Sequence, residues 1–211
     1  LPAAVLNYLL LLGWAPEGEQ EIFSLDEMIK IWDPARISKS PAIFDPLKLR
    51  AINAAYIRAL PAEEFRKLAD PFIDQAVHVQ INRDLLCANL QPRCEVLEDI
   101  PPQLDFFDAV LPIDPEMYRN KKQKTTPESA KEALSALLPV LEAQTDWSRD
   151  AIFEACKQKA EAMEKKNGWL LFPLGIALSG KARTPGGGTD LAAMMGKEET
   201  LRRLNAAIEA L

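Results

Sequence analysis

The pairing of a helix-capping residue with a following proline is the feature that most constrains the fold of this 211-residue chain. The pair occurs at Asp45-Pro46, at Asp114-Pro115 and at Thr126-Pro127. Asp and Thr side chains accept hydrogen bonds from the free N–H groups of a first helical turn, and proline lacks only an N–H that the turn leaves unused. Each pair therefore predicts the start of a helix.

Other helix signals lie between these pairs. Pro2 and Gly13 predict the two ends of a first helix, and Ser24 with Glu27 predicts a capping box. No alternation of polar and apolar residues is long enough to predict a sheet, and no internal repeat is present. The predicted fold is all-α, with two consecutive helical bundles at residues 1–147 and 148–211.

Two longer helices are predicted in the middle and last parts of the chain. Pro71 is expected to begin a helix that runs to about Asn89. Ser148 is expected to cap a helix that ends at Asn167-Gly168, since Gly is common just beyond a helix C-terminus. A short apolar segment, the glycine-rich loop TPGGGTD and two helices divided at Gly196 are expected to follow.

The charge distribution excludes some classes of partner. The net charge is −6, which argues against a non-specific nucleic-acid binder. Residues 149–211 alone are basic, with ten Lys and Arg against eight Asp and Glu, a net of +2. No apolar run approaches the ~18 residues that span a bilayer, so we expect no membrane partner.

The cysteine and histidine content argues against a metal site. Cys87, Cys94 and Cys156 have no C-x-x-C spacing, and His78 is the sole histidine. We therefore expect reduced, mostly buried thiols in a cytoplasmic protein, with no metal. The chain begins with Leu1 rather than Met, which suggests a fragment of a longer protein.

The tetrapeptide Ile37-Ser38-Lys39-Ser40 resembles the K-M-S-K-S loop with which class I aminoacyl-tRNA synthetases hold ATP. Such a loop depends on an α/β nucleotide-binding domain and on an H-I-G-H segment that precedes it. Here the preceding residues are predicted to be helical and His78 follows the motif. We therefore interpret the tetrapeptide as a turn with a solvated lysine, and predict no catalytic residue in the chain.

A wider resemblance explains this coincidence. The chain resembles bacterial glutamyl-tRNA synthetases just beyond their catalytic domain, over nearly its whole length but only loosely at residues 62–145. The segments that carry the resemblance are LNYLLLLGW, IFSLDEM, SKSPAIFD and KLRAINAAYI near the start, and PLGIALSGKARTPGGG and GKE near the end.

The resemblance implies a noncatalytic C-terminal part of a glutamate–tRNA ligase that binds the anticodon of tRNA(Glu). The whole enzyme would use ATP and Mg²⁺, whereas this chain would hold no cofactor and would not catalyse ATP–pyrophosphate exchange alone. A monomer that binds no DNA is expected.

The resemblance also implies which residues contact the anticodon. Arg93 matches an arginine that recognises the third anticodon base, and Thr184, Pro185 and Gly186 match the wall of the anticodon pocket. A guanidinium suits the two acceptors of cytosine and opposes the N–H donor of guanine. Lys181 and Arg183 are expected to add supporting basic contacts.

Two alternatives remain open from the residues alone. Arg93 is also compatible with a surface arginine paired with Glu95 or Glu98, and the glycine-rich loop with an ordinary connection between helices. Ala51, Gly175 and Gly187 depart from the family pattern, so base contacts at these positions are not implied. The alternative function is an acidic all-α protein-interaction module without RNA binding, which predicts an exposed apolar patch.

Overall fold

The computed structural model describes residues 1–39 and 41–211 and confirms an all-α fold. In this part of the chain ten α-helices follow one another: α1 Pro2–Gly13, α2 Leu25–Ile31, α3 Pro46–Ala59, α4 Ala62–Ile73, α5 Arg83–Leu90, α6 Pro127–Ala143, α7 Arg149–Ala162, α8 Asn167–Ser179, α9 Gly188–Met195 and α10 Lys197–Ala210. Short 3₁₀ turns lie at Pro34–Arg36, Gln91–Arg93, Leu97–Asp99, Pro101–Gln103 and Pro115–Tyr118. The only β-type pairings among the described residues are isolated bridges.

Several predicted caps begin α-helices as expected, whereas Asp114-Pro115 begins only the 3₁₀ turn Pro115–Tyr118. The Ser24 hydroxyl accepts from the backbone N–H of Glu27, and the Glu27 carboxylate accepts from the N–H of Ser24, which completes the capping box of α2. Asp45 caps α3 and Thr126 caps α6, each followed by a proline in the first turn. Local hydrogen bonding thus fixes these starts, which is why the sequence predicts them.

The helix predicted from Pro71 to Asn89 is wrong. Pro71 lies inside α4, which ends at Ile73, and α5 begins only at Arg83. The N–H groups of Asp74 and Val77 still donate to carbonyls of α4, whereas three N–H groups farther along the loop donate to distant acceptors. His78 and Val79 donate to the Asp108 carboxylate, and Asn82 donates to the carbonyl of Met194. These tertiary partners satisfy the loop backbone, so the helical pattern of the segment is overridden.

The predicted end of a helix at Asn167-Gly168 is also wrong. α7 ends at Ala162, and Asn167 and Gly168 form the first turn of α8. The sequence analysis described this region only as a short apolar segment. Because α8 is buried on most of its surface, it shows no polar face and hence no helical periodicity.

The tetrapeptide at residues 37–40 lies partly outside the described residues, because Ser40 is not among them. Ile37 pairs with Trp14, and the N–H of Ser38 donates to the carbonyl of Gly13 at 2.8 Å. Lys39 is exposed, as the interpretation of a solvated lysine requires.

One apolar core extends from the end of α3 to α10. It includes Phe65, Leu86, Leu134, Leu170 and Leu204, all inaccessible to solvent. A smaller cluster of Ala4, Tyr8 and Ile52 holds α1 against α3. Residues on both sides of the predicted boundary at 147 and 148 belong to the larger core, and the division into two bundles stays a prediction.

The three cysteines are free and buried, as expected. Burial raises the pKa of Cys87 and Cys94 to about 11 and that of Cys156 to about 12. The thiols are therefore protonated at neutral pH and unreactive as nucleophiles. Within the described residues no helix combines the length and apolarity that a bilayer crossing requires.

Arg203 of α10 is the largest fully buried side chain, with 1% of its surface exposed. Its guanidinium donates to the carbonyls of Phe106, Phe107 and Leu178 at 2.6–2.8 Å. Its Nε donates to Glu199 at 2.6 Å. Hydrogen bonds from Arg202 and then from Arg203, acting against desolvation, hold the pKa of Glu199 below its usual value. One side chain thus joins α10 to α8 and to the segment at residues 104–107.

We expect Arg203→Leu to destabilise the chain by about 3 kcal/mol or more, because three buried carbonyls lose their donors. The control is Arg202→Leu, the adjacent arginine, whose side chain is 59% exposed. Its effect should stay within about 0.5 kcal/mol, as for most surface substitutions. Urea unfolding followed by circular dichroism measures both. Equal midpoints for the two variants would contradict a structural role for Arg203.

Candidate nucleic-acid interface

An open pocket of about 660 Å³ lies between the end of α5, the exposed side of α8 and the loop before α9. Most of the predicted site residues line it: Arg93, Lys181, Arg183, Thr184 and Gly186. Pro185 is buried beside the pocket. Gly175 and Gly187, two of the three positions that depart from the family pattern, also line it. The structure therefore brings the two predicted clusters into one site.

Arg93 meets the glycine-rich loop across 92 residues of sequence. Its Nη1 donates to the carbonyl of Pro185 at 3.5 Å, at the long end of hydrogen-bond geometry. The 3₁₀ turn that carries Arg93 is held in place by Gln91, whose amide donates to the carbonyls of Ile57 and Leu60. Arg93 is therefore positioned at the rim of the pocket with most of its donors free for a ligand.

The ion pair considered for Arg93 is not formed. Glu95 instead accepts from Arg50 at 2.9 Å, and Asp99 accepts from the same guanidinium. Among the residues that the structure describes, Arg93 and Arg183 are exposed and make no ion pair. Two uncompensated guanidinium groups thus lie on one pocket of an acidic chain, which favours an anionic ligand.

Lys181 has a different role from Arg183. Its Nζ donates to the carbonyl of Pro102 at 3.0 Å, pairs with the Asp105 carboxylate and lies 6.0 Å from the Phe106 ring centre. Its side chain is only 24% exposed. Lys181 therefore holds the start of the loop against the segment at residues 102–106, while Arg183 remains available.

Close backbone approach shapes the far wall of the pocket. A Cβ at Gly188 would lie 2.8 Å from the Leu171 carbonyl oxygen and 2.9 Å from the Gly175 nitrogen. Real Cβ atoms do not approach backbone so closely, so only glycine lets α9 begin directly against α8. A Cβ at Gly175 would meet only ordinary contacts with Gly188, at 3.7 Å or more.

Several residues of the pocket are not predicted from the sequence, and two of them have side chains suited to a base. Phe172 lies on the partly exposed side of α8, where an aromatic ring can stack on a base. Gln103 donates from its Nε2 to the carbonyl of Asp99 at 2.6 Å, which leaves its Oε1 as a free acceptor. The spacing of three and four residues from Gly175 would have located Leu171 and Phe172, had α8 been recognised as a helix.

Comparison with known proteins identifies the family to which this site belongs. The family model described as "Anticodon binding domain" matches residues 53–208, which include every predicted site residue. The chain belongs to this family. A second model, "tRNA synthetases class I (E and Q), catalytic domain", matches residues 1–51. The boundary between the two models therefore lies within α3, whereas the sequence analysis expected a start just beyond the catalytic domain.

Two curated relatives are similar in sequence to this chain over its full length. A glutamate–tRNA ligase of Clostridium botulinum (strain Hall) is 44% identical over 211 residues, and one of Clostridium acetobutylicum is 44% identical over 213 residues. In both cases the match covers 100% of the chain and 44% of the relative. The chain thus spans less than half the length of these relatives.

Solved structures show the same fold. The glutamate tRNA ligase of Elizabethkingia meningosepticum, crystallised with its amino acid, has a TM-score of 0.83 and 28% identity over 100% of this chain and 41% of its own. The glutamate-tRNA synthetase of Elizabethkingia anophelis has a TM-score of 0.80 and 27% identity over 99% and 41% of the two chains.

We expect Gly188→Ala to destabilise the chain by about 1–3 kcal/mol, because the added methyl forces α9 away from α8. Gly13→Ala is the matched control, since a Cβ at Gly13 meets no atom within 4 Å. That change should be neutral or slightly stabilising, because Gly13 is helical and alanine favours a helix. The free energy of unfolding in urea distinguishes the two. A neutral Gly188→Ala would show that α8 and α9 are not in tight contact.

Proposed function

We propose that the pocket binds the anticodon of tRNA(Glu), within the C-terminal part of a glutamate–tRNA ligase. The observation that carries this proposal is the convergence of Arg93 with the loop at residues 181–188 in one pocket. Anticodon bases are single-stranded and can be turned outward, so a pocket of this size suits an unstacked base.

The pocket chemistry favours cytosine as the third anticodon base. Arg93 offers only donors, which match the O2 and N3 acceptors of cytosine. Gln103 offers an acceptor in the same pocket, which matches the exocyclic amino group of cytosine. Guanine presents an N–H donor where cytosine has N3, so the same guanidinium opposes it. Phe172 supplies an aromatic face that any base can use.

The catalytic chemistry would belong to the remainder of the ligase. ATP and Mg²⁺ are proposed for that remainder, together with the transfer of glutamate to tRNA. The residues of the pocket are proposed to bind and position the RNA. Bacterial translation takes place in the cytoplasm, and the proposal places the protein there.

The alternative of a protein-interaction module predicts an exposed apolar patch, and one exists near the start of the chain. Leu9, Leu25, Ile29 and Trp32 are 46–67% exposed on α1 and on α2 with its C-cap. This patch lies within residues 1–51, which match the catalytic-domain model. We propose that it packs against the rest of that domain in a whole ligase, so it does not favour a separate partner.

Arg93→Gln should weaken discrimination between cytosine and guanine at the third anticodon base. Glutamine has both a donor and an acceptor and suits either base, so about 1–3 kcal/mol of preference, a factor of roughly 5 to 150 in relative affinity, should be lost. The measurement is the affinity of the chain for two anticodon stem–loops that differ only at this base.

Arg202→Gln removes the same charge outside the pocket and should leave that preference unchanged. If Arg93→Gln discriminates as well as the parent chain does, Arg93 does not recognise the third base.

Arg183→Gln should lower the salt dependence of tRNA binding more than Lys181→Gln. Each phosphate contact adds roughly one unit to the slope of log affinity against log salt, and Arg183 has no carboxylate partner among the described residues. The charge of Lys181 is already paired with Asp105. Filter binding across a salt series gives both slopes. An unchanged slope for Arg183→Gln would place the loop away from RNA phosphates.

A further inference from the structure

A rigid turn presents three lysines beside α8. Asn120 and Thr125 exchange two backbone hydrogen bonds at 3.0 and 3.1 Å, and the N–H of Gln123 donates to the Asn120 side chain. Lys121, Lys122 and Lys124 are exposed on the loop that these bonds close. Lys124 has a φ of 57°, in the left-handed region that side chains rarely adopt. The loop is therefore held in one shape with its charges outward.

A second rigid turn presents two more lysines between α7 and α8. The N–H of Lys165 donates to the carbonyl of Ala160 and that of Glu164 to Glu161, which is the hydrogen-bond pattern of a Schellman motif. Glu164 occupies the position that usually requires glycine, with a φ of 54°. Lys165 and Lys166 are exposed directly after it. Within the described residues, the only non-glycine positive φ values occur in these two turns.

The first turn contacts α8 close to where the second turn ends. A Cβ at Gly168, in the first turn of α8, would lie 1.8 Å from Oε1 of Gln123, so the glycine leaves room for the Gln123 side chain. The five lysines of the two turns are here called the lysine patch. None of them makes an ion pair with a described residue, although Glu161 and Glu164 lie nearby in sequence and Lys165 lies 5.0 Å from the Trp169 ring centre.

The lysine patch lies at the start of α8, and the pocket lies further along the same helix. Gly168, Leu171, Phe172 and Gly175 share one helical face and are partly exposed, whereas Leu170 and Leu174 are buried. At ~1.5 Å per helical residue, Lys166 at the start of α8 is about 9 Å from Phe172 along the axis.

We propose that the lysine patch binds backbone phosphates of the RNA stem that adjoins the bases held in the pocket. This inference rests on the proposed anticodon-binding function. Exposed ammonium groups on rigid turns suit phosphates, because lysine binds a phosphate as a point charge. Such contacts do not depend on which base the nucleotide carries. An acidic protein would find the same charges, but the shared face of α8 gives one continuous path from the patch to a base pocket, which favours RNA.

The test compares Lys121→Gln/Lys122→Gln and Lys165→Gln/Lys166→Gln with the control Lys30→Gln/Lys67→Gln, which removes two exposed lysines from α2 and α4. The probes are an RNA hairpin made of the glutamate anticodon stem and loop, and the loop alone as a single strand. On the hairpin each patch variant should reduce the salt slope by about 1.5–2 units, since two phosphate contacts are lost. The control should keep the parent slope.

The loop alone separates this inference from the proposed function. The patch variants should bind it like the parent, whereas Arg93→Gln should weaken binding to both RNAs. If Arg93→Gln weakens binding while the patch variants keep the parent slope on the hairpin, the pocket binds RNA and the lysine patch does not. If the parent chain binds neither RNA, the proposed function and this inference both fail. Circular dichroism of each variant verifies that the helical fold is retained.

Discussion

The buried guanidinium of Arg203 is the interaction on which the positions of the other elements depend. It holds the carbonyls of Phe106 and Phe107 against the C-terminal end of α8. The same segment supplies the carbonyl of Pro102 and the carboxylate of Asp105, which hold Lys181. The start of the glycine-rich loop is therefore fixed to α8 and α10 through a chain of polar contacts.

The opposite end of that loop is fixed by packing rather than by charge. Gly188 places the first turn of α9 against the backbone of α8, and the Asp190 carboxylate accepts from the N–H of Gly187 at 2.8 Å. Because both ends are held, the loop places Thr184 and Gly186 in the same pocket as Arg93. A binding site on a fixed loop loses less conformational entropy when a ligand binds, so less of the binding energy is spent on ordering.

Local signals in the sequence predict the fold well wherever a cap or a proline decides the conformation. The starts of α2, α3 and α6 were predicted because a side chain within three residues provides the hydrogen bond. The failures at Pro71 and at Asn167-Gly168 have the opposite cause. Acceptors on Asp108 and Met194 hold the loop that separates α4 from α5, and burial on most sides hides the periodicity of α8. Neither effect can be predicted from a short stretch of sequence.

The site shows the same limit. The residue types of Arg93 and of the glycine-rich loop suggest only weak hypotheses, and the family resemblance was needed to select them. Their meeting in one pocket, the engagement of Lys181 by Asp105 and the lysines beside Gly168 all depend on tertiary contacts. The sequence can suggest which residues bind a ligand, whereas only the folded chain shows which of their side chains are not already engaged by other residues.

The long sequence separation between Arg93 and Pro185 has a consequence for protein synthesis. A ribosome that has added Arg93 must add another 92 residues before the opposite side of the pocket exists. At about 5–20 residues per second this takes roughly 5–18 seconds. Until then the pocket has only one of its two sides, so the complete binding site can form only late in synthesis.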